Sequence, residues 1–243
     1  MARITRIALC CVMALCVVLT IFSLPEAIMT EASVPSVPII MYHSVLKDTS
    51  RSGAYVVTPD TVRRDLAYLK ERGYTTLFAS ELADLVNRYQ PIPEKSVIIT
   101  FDDGSLNNMT YVYDILEELD MKAVISIVGS YAEQYALHPD HNPQYAYLNW
   151  EDIKLMHATG RFEFANHSYD MHKQAPRHGA KMVKGESVEQ YREALIADTL
   201  RMQELMQEHC GITPTTYTYP FGQISKEALP IIRELGFTAV LTC

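Results

Sequence analysis

The chain has 243 residues, enough for one large α/β domain or two small ones. Its 48% hydrophobic and 21% charged residues are ordinary for a globular protein, which argues against a disordered or fibrous chain. A net charge of −8, with no long basic run, argues against a nucleic-acid partner.

The N-terminus stands apart from the rest. Arg3 and Arg6 precede an uncharged apolar run over residues 7–22, followed by Ser23, Pro25 and Ala27. A short positive region, an apolar stretch and small residues are the pattern of an export signal. The run is short for a full span, which needs roughly 20 apolar residues. No clear A-x-A cleavage site follows it, so an uncleaved anchor stays open. Residues 1–27 are therefore read as a signal peptide or N-terminal membrane anchor, and residues 28–37 as a linker. The product is expected to be secreted or held at the cell surface, with a possible membrane tether through residues 7–22. Cys10, Cys11 and Cys16 lie in this segment, leaving only Cys210 and Cys243 beyond it. That is too few for a disulfide scaffold, so the rest of the chain must be stabilised by a core.

From residue 38 onward, β-rich runs alternate with helical patterns. Strands are predicted over 38–45, 75–78, 97–101, 123–128, 162–165, 215–219 and 237–242. Helices are predicted over 58–73, 80–89, 109–119, 149–159, 187–209 and 225–235. Thr58 caps the first helix, Pro59 opens it and Gly73 ends it. Ser80 is the expected cap of the second. Residues 129–148, with Pro139, Pro143 and several tyrosines and histidines, read as a long irregular loop and a candidate lid. This alternation predicts an α/β fold built on a parallel sheet, best described as a distorted, incomplete (β/α) barrel of about seven parallel strands. In such barrels the chemistry sits at the C-terminal ends of the strands.

Four strand ends carry candidate chemistry. Thr100-Phe101-Asp102-Asp103-Gly104 closes an apolar run with two adjacent carboxylates. Side chains alternate along a strand, so both can face one mouth only if the strand has ended. Asp-Gly pairs are also ordinary turn residues. The second end is Asn166-His167-Ser168-Tyr169-Asp170-Met171-His172. Imidazoles and a carboxylate suit zinc and similar divalent metals. Five residues on a regular helix turn about 500°, which would leave the two rings roughly 140° apart. His167 and His172 can share one ion only if the segment is a loop. The third end is Thr218-Tyr219-Pro220-Phe221-Gly222, a turn able to present a backbone N–H to a developing oxyanion. The fourth is His43, at the tip of the first predicted strand.

Together these motifs resemble the polysaccharide deacetylase family, also called the NodB-homology or carbohydrate esterase 4 family, over roughly residues 37–240. The resemblance implies a polysaccharide deacetylase domain over residues 38–243. It further implies metal-dependent removal of acetyl groups from an N-acetylglucosamine-containing polysaccharide: poly-N-acetylglucosamine, peptidoglycan or a chitin-like chain. By that likeness Asp102 is the general base, and Asp103, His167 and His172 are the metal ligands. The backbone N–H of Phe221 belongs to the oxyanion site. The metal is expected to be zinc, with cobalt, nickel or manganese as alternatives. The partner is the acetylated polysaccharide itself, with no obligate protein partner evident.

The resemblance departs from the common pattern at three points. The two histidines are one residue further apart than usual. Thr218 stands where an arginine usually orients the base. No Leu-x-His motif follows near the C-terminus. These departures resemble the circularly permuted poly-N-acetylglucosamine deacetylase branch, which draws its acid histidine from a Met-Tyr-His strand, the position His43 matches. Two alternatives remain: an exported carbohydrate O-acetyl esterase using the same site, and a catalytically inactive glycan-binding barrel.

Overall fold

The computed structural model describes residues 36–242. The expected signal or anchor over 1–27, and nearly all of the expected linker over 28–37, lie outside the described residues. In chain order the elements are β1 (Ile39–Tyr42), β2 (Ser44–Val45), β3 (Val56–Val57), α1 (Pro59–Glu71), β4 (Thr75–Thr76), α2 (Ala79–Asn87) and β5 (Ser96–Phe101). Then come α3 (Leu106–Leu119), β6 (Ala123–Ile127), α4 (Gly129–Leu137), α5 (Trp150–Ala158), β7 (Phe162–Asn166), α6 (Val188–Cys210), β8 (Thr216–Thr218), α7 (Ala228–Glu234) and β9 (Ala239–Leu241). Among the described residues no helix is long and apolar enough to cross a membrane.

β5 and β6 are buried at every position, as strands covered on both faces must be. They sit inside a seven-stranded sheet of order β1-β5-β6-β7-β8-β9, with β4 beside the start of β5. Every pairing is parallel. β1 and β9 lie at opposite ends of that order, yet Ile39 and Met41 of β1 share one cavity of about 330 Å³ with Val240 and Leu241 of β9. A flat sheet would hold those edges far apart, so the sheet curls and stops short of closing. The expected distorted, incomplete barrel is borne out. β2 and β3 form a separate two-stranded ribbon. Apolar side chains of β5, β6 and β7, including Ile99, Phe101, Ile125 and Phe164, pack against Val112 and Leu116 of α3 and Met202 and Leu205 of α6.

Several boundaries differ from expectation, each for a local reason. The strand expected over 38–45 breaks at His43 into β1 and β2. Asn107 holds the second piece: its Oδ1 accepts the buried Val45 N–H at 2.8 Å, and its Nδ2 donates to Ser44 Oγ at 2.9 Å and to the Pro143 carbonyl at 3.2 Å. Ser80 does not cap α2, which begins one residue earlier. Its N–H and hydroxyl instead donate to Glu163 of β7, and the Phe78 N–H is accepted by Glu81. The stretch 129–148 is not all loop. Its first nine residues form α4, whose Ala132 and Tyr135 pack on the core.

Asn107→Ala would leave the Val45 N–H buried without an acceptor. We expect a loss of about 1–3 kcal/mol, read as a lower urea midpoint at unchanged slope. An unmoved midpoint would mean that the amide is dispensable to β2.

Candidate active site

The ends of β5, β7 and β8, and the break after β1, open on one mouth. A cavity of about 390 Å³ is lined there by His43, Asp102, Asp103, His167, His172 and Phe221. These are all six of the sequence candidates. Met41, Tyr55 and Gln174 complete its wall.

β5 ends at Phe101, and the Asp102 N–H still donates to the Tyr42 carbonyl at 2.9 Å. Asp103 then adopts φ 71°, a left-handed conformation. That reversal breaks the strand alternation and lets both carboxylates reach the cavity. Gly104 follows at φ 73°, where a Cβ would come within 2.7 Å of Ile127 Cδ1, so neither the conformation nor the space suits another residue. Asp102 is only 2% exposed, and its Oδ1 has no hydrogen-bond partner among the described residues.

His167 lies just beyond β7 and is fully enclosed. Its Nδ1–H donates to the Thr218 carbonyl at 2.8 Å, which turns Nε2 toward Asp103. The segment from His167 to His172 is a loop, as shared ligation requires. His172 Nε2 lies 3.0 Å from Asp103 Oδ1, and His167 Nε2 lies 3.5 Å from the same atom. The ligating atoms of Asp103, His167 and His172 all fall within 4.8 Å of one another. His172 Nδ1 sits 3.3 Å from the Tyr131 hydroxyl, which fixes the ring's orientation.

Burial opposes ionisation of Asp103, but the facing His167 and His172 imidazoles outweigh it and hold its carboxyl well below the usual range. Burial likewise opposes a charged His167, yet Asp103 and Asp102 push its pKa up. Asp103 Oδ1 is buried and lacks a well-formed hydrogen bond despite these neighbours. Two imidazole nitrogens and one carboxylate oxygen, facing a common point at the edge of a cavity, fit a divalent cation with positions left for water and substrate.

Phe221 occupies the short turn Pro220–Gly222 after β8, at φ 57° and ψ 18°. Its ring packs against His172 at a tilt of 35°, with centroids 4.2 Å apart. The His43 carbonyl accepts from Asn108 Nδ2 at 2.9 Å, and its ring meets Tyr55 edge-on at 5.0 Å. Sequence reasoning missed these supports. Tyr131 fell inside the stretch read as loop, although Tyr131 and Tyr135 have helical spacing. Asn107 and Asn108 lie just before the start expected for α3. Tyr55 carries no local signal at all.

The model of the polysaccharide deacetylase family matches residues 89–240. A poly-beta-1,6-N-acetyl-D-glucosamine N-deacetylase of Escherichia coli is 23% identical over 222 residues, covering 84% of this chain and 33% of that protein. The chain thus spans about a third of that relative's length. Among solved structures, a de-N-acetylase from Aggregatibacter actinomycetemcomitans superposes with a TM-score of 0.72 at 24% identity, covering 84% of this chain and 87% of that one. IcaB from Ammonifex degensii gives a TM-score of 0.70 at 25% identity, covering 85% and 83%.

The donor set leads to a direct expectation. Metal-stripped protein should take up one equivalent of zinc, and Asp103→Ala or His167→Ala should abolish that uptake. Calorimetric titration checks this, and undiminished binding by His167→Ala would place the metal elsewhere.

Proposed function

The chain belongs to the polysaccharide deacetylase family, and we propose that it is a metal-dependent N-deacetylase of an N-acetylglucosamine-containing polysaccharide, acting outside the cytoplasm. In this reading residues 38–243 are the catalytic domain, and residues 1–27 export or anchor it. The observation that carries the proposal is the convergence of Asp103, His167 and His172 in the cavity that also holds Asp102, His43 and the Phe221 turn. The poly-N-acetylglucosamine activity named for the E. coli relative supports that polymer as the first substrate to test.

Asp103, His167 and His172 would hold the metal, preferably zinc. A divalent cation so held would polarise the acetyl carbonyl and acidify the attacking water. Asp102, whose side chain lines the cavity, accepts the proton of that water. The Phe221 N–H donates to the oxyanion that develops as the carbonyl carbon becomes tetrahedral. His43 delivers a proton to the departing nitrogen, so that the products are acetate and a free amine. His167 keeps its ring fixed through Thr218, and Tyr131 does the same for His172.

Acetate release from β-1,6-linked poly-N-acetylglucosamine, chitin oligomers and peptidoglycan, with and without a chelator, tests the proposal. Metal-replete protein that releases acetate from none of them would sink it.

Two substitutions separate the roles. Asp102→Asn should retain metal and lose about 10²–10⁴-fold in turnover, the usual contribution of a positioned base. If it loses metal but keeps activity per bound metal, the two aspartates have exchanged roles. His43→Ala should impair amide hydrolysis severely and an aryl acetate much less, because a phenolate leaves without a proton. Equal losses on both substrates would make His43 structural.

A further inference from the structure

We propose that Asp198, on α6, is the positioning residue that makes the five-residue histidine spacing work, by clamping the main chain of the loop that carries His172. This rests on the metal-site reading above.

The spacing poses a geometric problem, since a regular helix would aim the two imidazoles apart. The loop must follow one particular path, and a loop without a ladder needs partners for its main-chain groups. Those partners are identifiable. The Ser168 N–H donates to Asn166 Oδ1 at 2.9 Å, and the Met171 N–H to Ser168 Oγ at 3.2 Å. The two N–H groups between them point out of the loop together. The Tyr169 N–H donates to Asp198 Oδ1 at 2.8 Å and the Asp170 N–H to Asp198 Oδ2 at 2.7 Å. Each carboxylate oxygen thus takes one of two successive N–H groups. Ser168, at φ 71°, supplies the left-handed turn that makes this concavity. Among the described residues, Asp198 is the acceptor that reaches these N–H groups from another element.

The opposite side of the loop is pinned as well. Its Ser168 and Tyr169 carbonyls accept from the Gly129 and Ser130 N–H groups at the start of α4, at 3.0 and 2.8 Å. A Cβ at Gly129 would fall 2.9 Å from Tyr169 Cδ2 and 3.2 Å from Tyr169 Cα, so there is no slack on that side. The loop lies between α4 and α6; the Tyr169 hydroxyl donates to Glu133 of α4 at 2.6 Å, and among the described residues Asp198 is the charged side chain that bonds the loop's main-chain N–H groups. Hydrogen bonds to an ionised acceptor are roughly twice as strong as neutral ones. Burial raises the Asp198 pKa against the pull of the two N–H donors, which is the cost a half-buried carboxylate bears for this placement.

Releasing the clamp should let His172 move while Asp103 and His167, fixed by β5 and β7, stay in place. The full chain is titrated with cobalt(II), following the visible absorption of the bound ion. Unfolding of the metal-free protein is recorded separately. Asp198→Ala is expected to raise the cobalt dissociation constant about 10- to 100-fold, the usual effect of losing a support behind a ligand, and to alter the spectrum of the bound ion. Asp198→Asn keeps one acceptor oxygen and should fall between Asp198→Ala and the parent chain. It carries the test if Asp198→Ala fails to fold.

A residue that only stabilised the fold would lower the unfolding temperature and leave the affinity and spectrum of the folded protein unchanged. That result overturns the proposal. If the parent chain and His167→Ala take up cobalt alike, the metal site itself is wrong and the clamp falls with it.

Discussion

The candidate site depends on one backbone constraint: parallel strands that end level must be turned sharply before their next residues can converge. Six non-glycine residues among those described have positive φ, and Asp103, Ser168 and Phe221 are three of them. Each follows within three residues of the end of β5, β7 or β8. Such conformations cost an ordinary residue roughly 1–2 kcal/mol, and they persist only where packing over-determines them. Here it does. Gly104 closes on Ile127, the His167 ring bonds to the Thr218 carbonyl, and the Phe221 ring packs on His172. The turns after β7 and β8 brace each other, the turn after β5 packs on β6, and Asp103 faces His167 and His172 across the mouth.

What was legible in the sequence follows from this. The runs at 96–101 and 123–127 are uncharged and dominated by apolar, β-branched residues, with only Ser96, Thr100 and Ser126 polar, which marks strands buried on both faces. The barrel class followed from their alternation with capped helices such as α1, where Thr58 Oγ1 accepts the Thr61 N–H as expected. The strand-end motifs were legible because chemistry-bearing residues follow β5, β7 and β8 within a few positions. Less legible was anything fixed by long-range side-chain bonds. Ser80 reads as a cap until Glu163, 83 residues away, is known to claim its N–H and hydroxyl. The break at His43 is invisible from the continuous β pattern of 38–45, because it is made by Asn107 and Asn108 on α3. α4 was hidden by its two tyrosines, its weak apolar face and the prolines that follow at 139 and 143.

The supports share a logic. His43 is held through its carbonyl by Asn108, and the His172 loop through its N–H groups by Asp198. In both cases a helix side chain bonds the main chain beside the functional residue and leaves the functional side chain free. That arrangement lets a loop be as well placed as a strand end while its imidazole keeps its nitrogens for other partners. It also explains why the longer histidine spacing is tolerable. The extra residue is absorbed where Asp198 and the start of α4 can satisfy its backbone.

The position of Thr218 bears on how Asp102 works. The common family pattern places an arginine there to orient the base, and in this chain Thr218 Oγ1 bonds Ser126 Oγ at 2.8 Å instead. Asp102 is therefore placed by the main chain: its N–H is tied to Tyr42 and the left-handed Asp103 follows at once. Its Oδ1 is left as a buried acceptor without a protein donor. Such an atom is costly unless something in the cavity bonds to it. Under the proposed mechanism the base is aimed by its backbone rather than by an arginine.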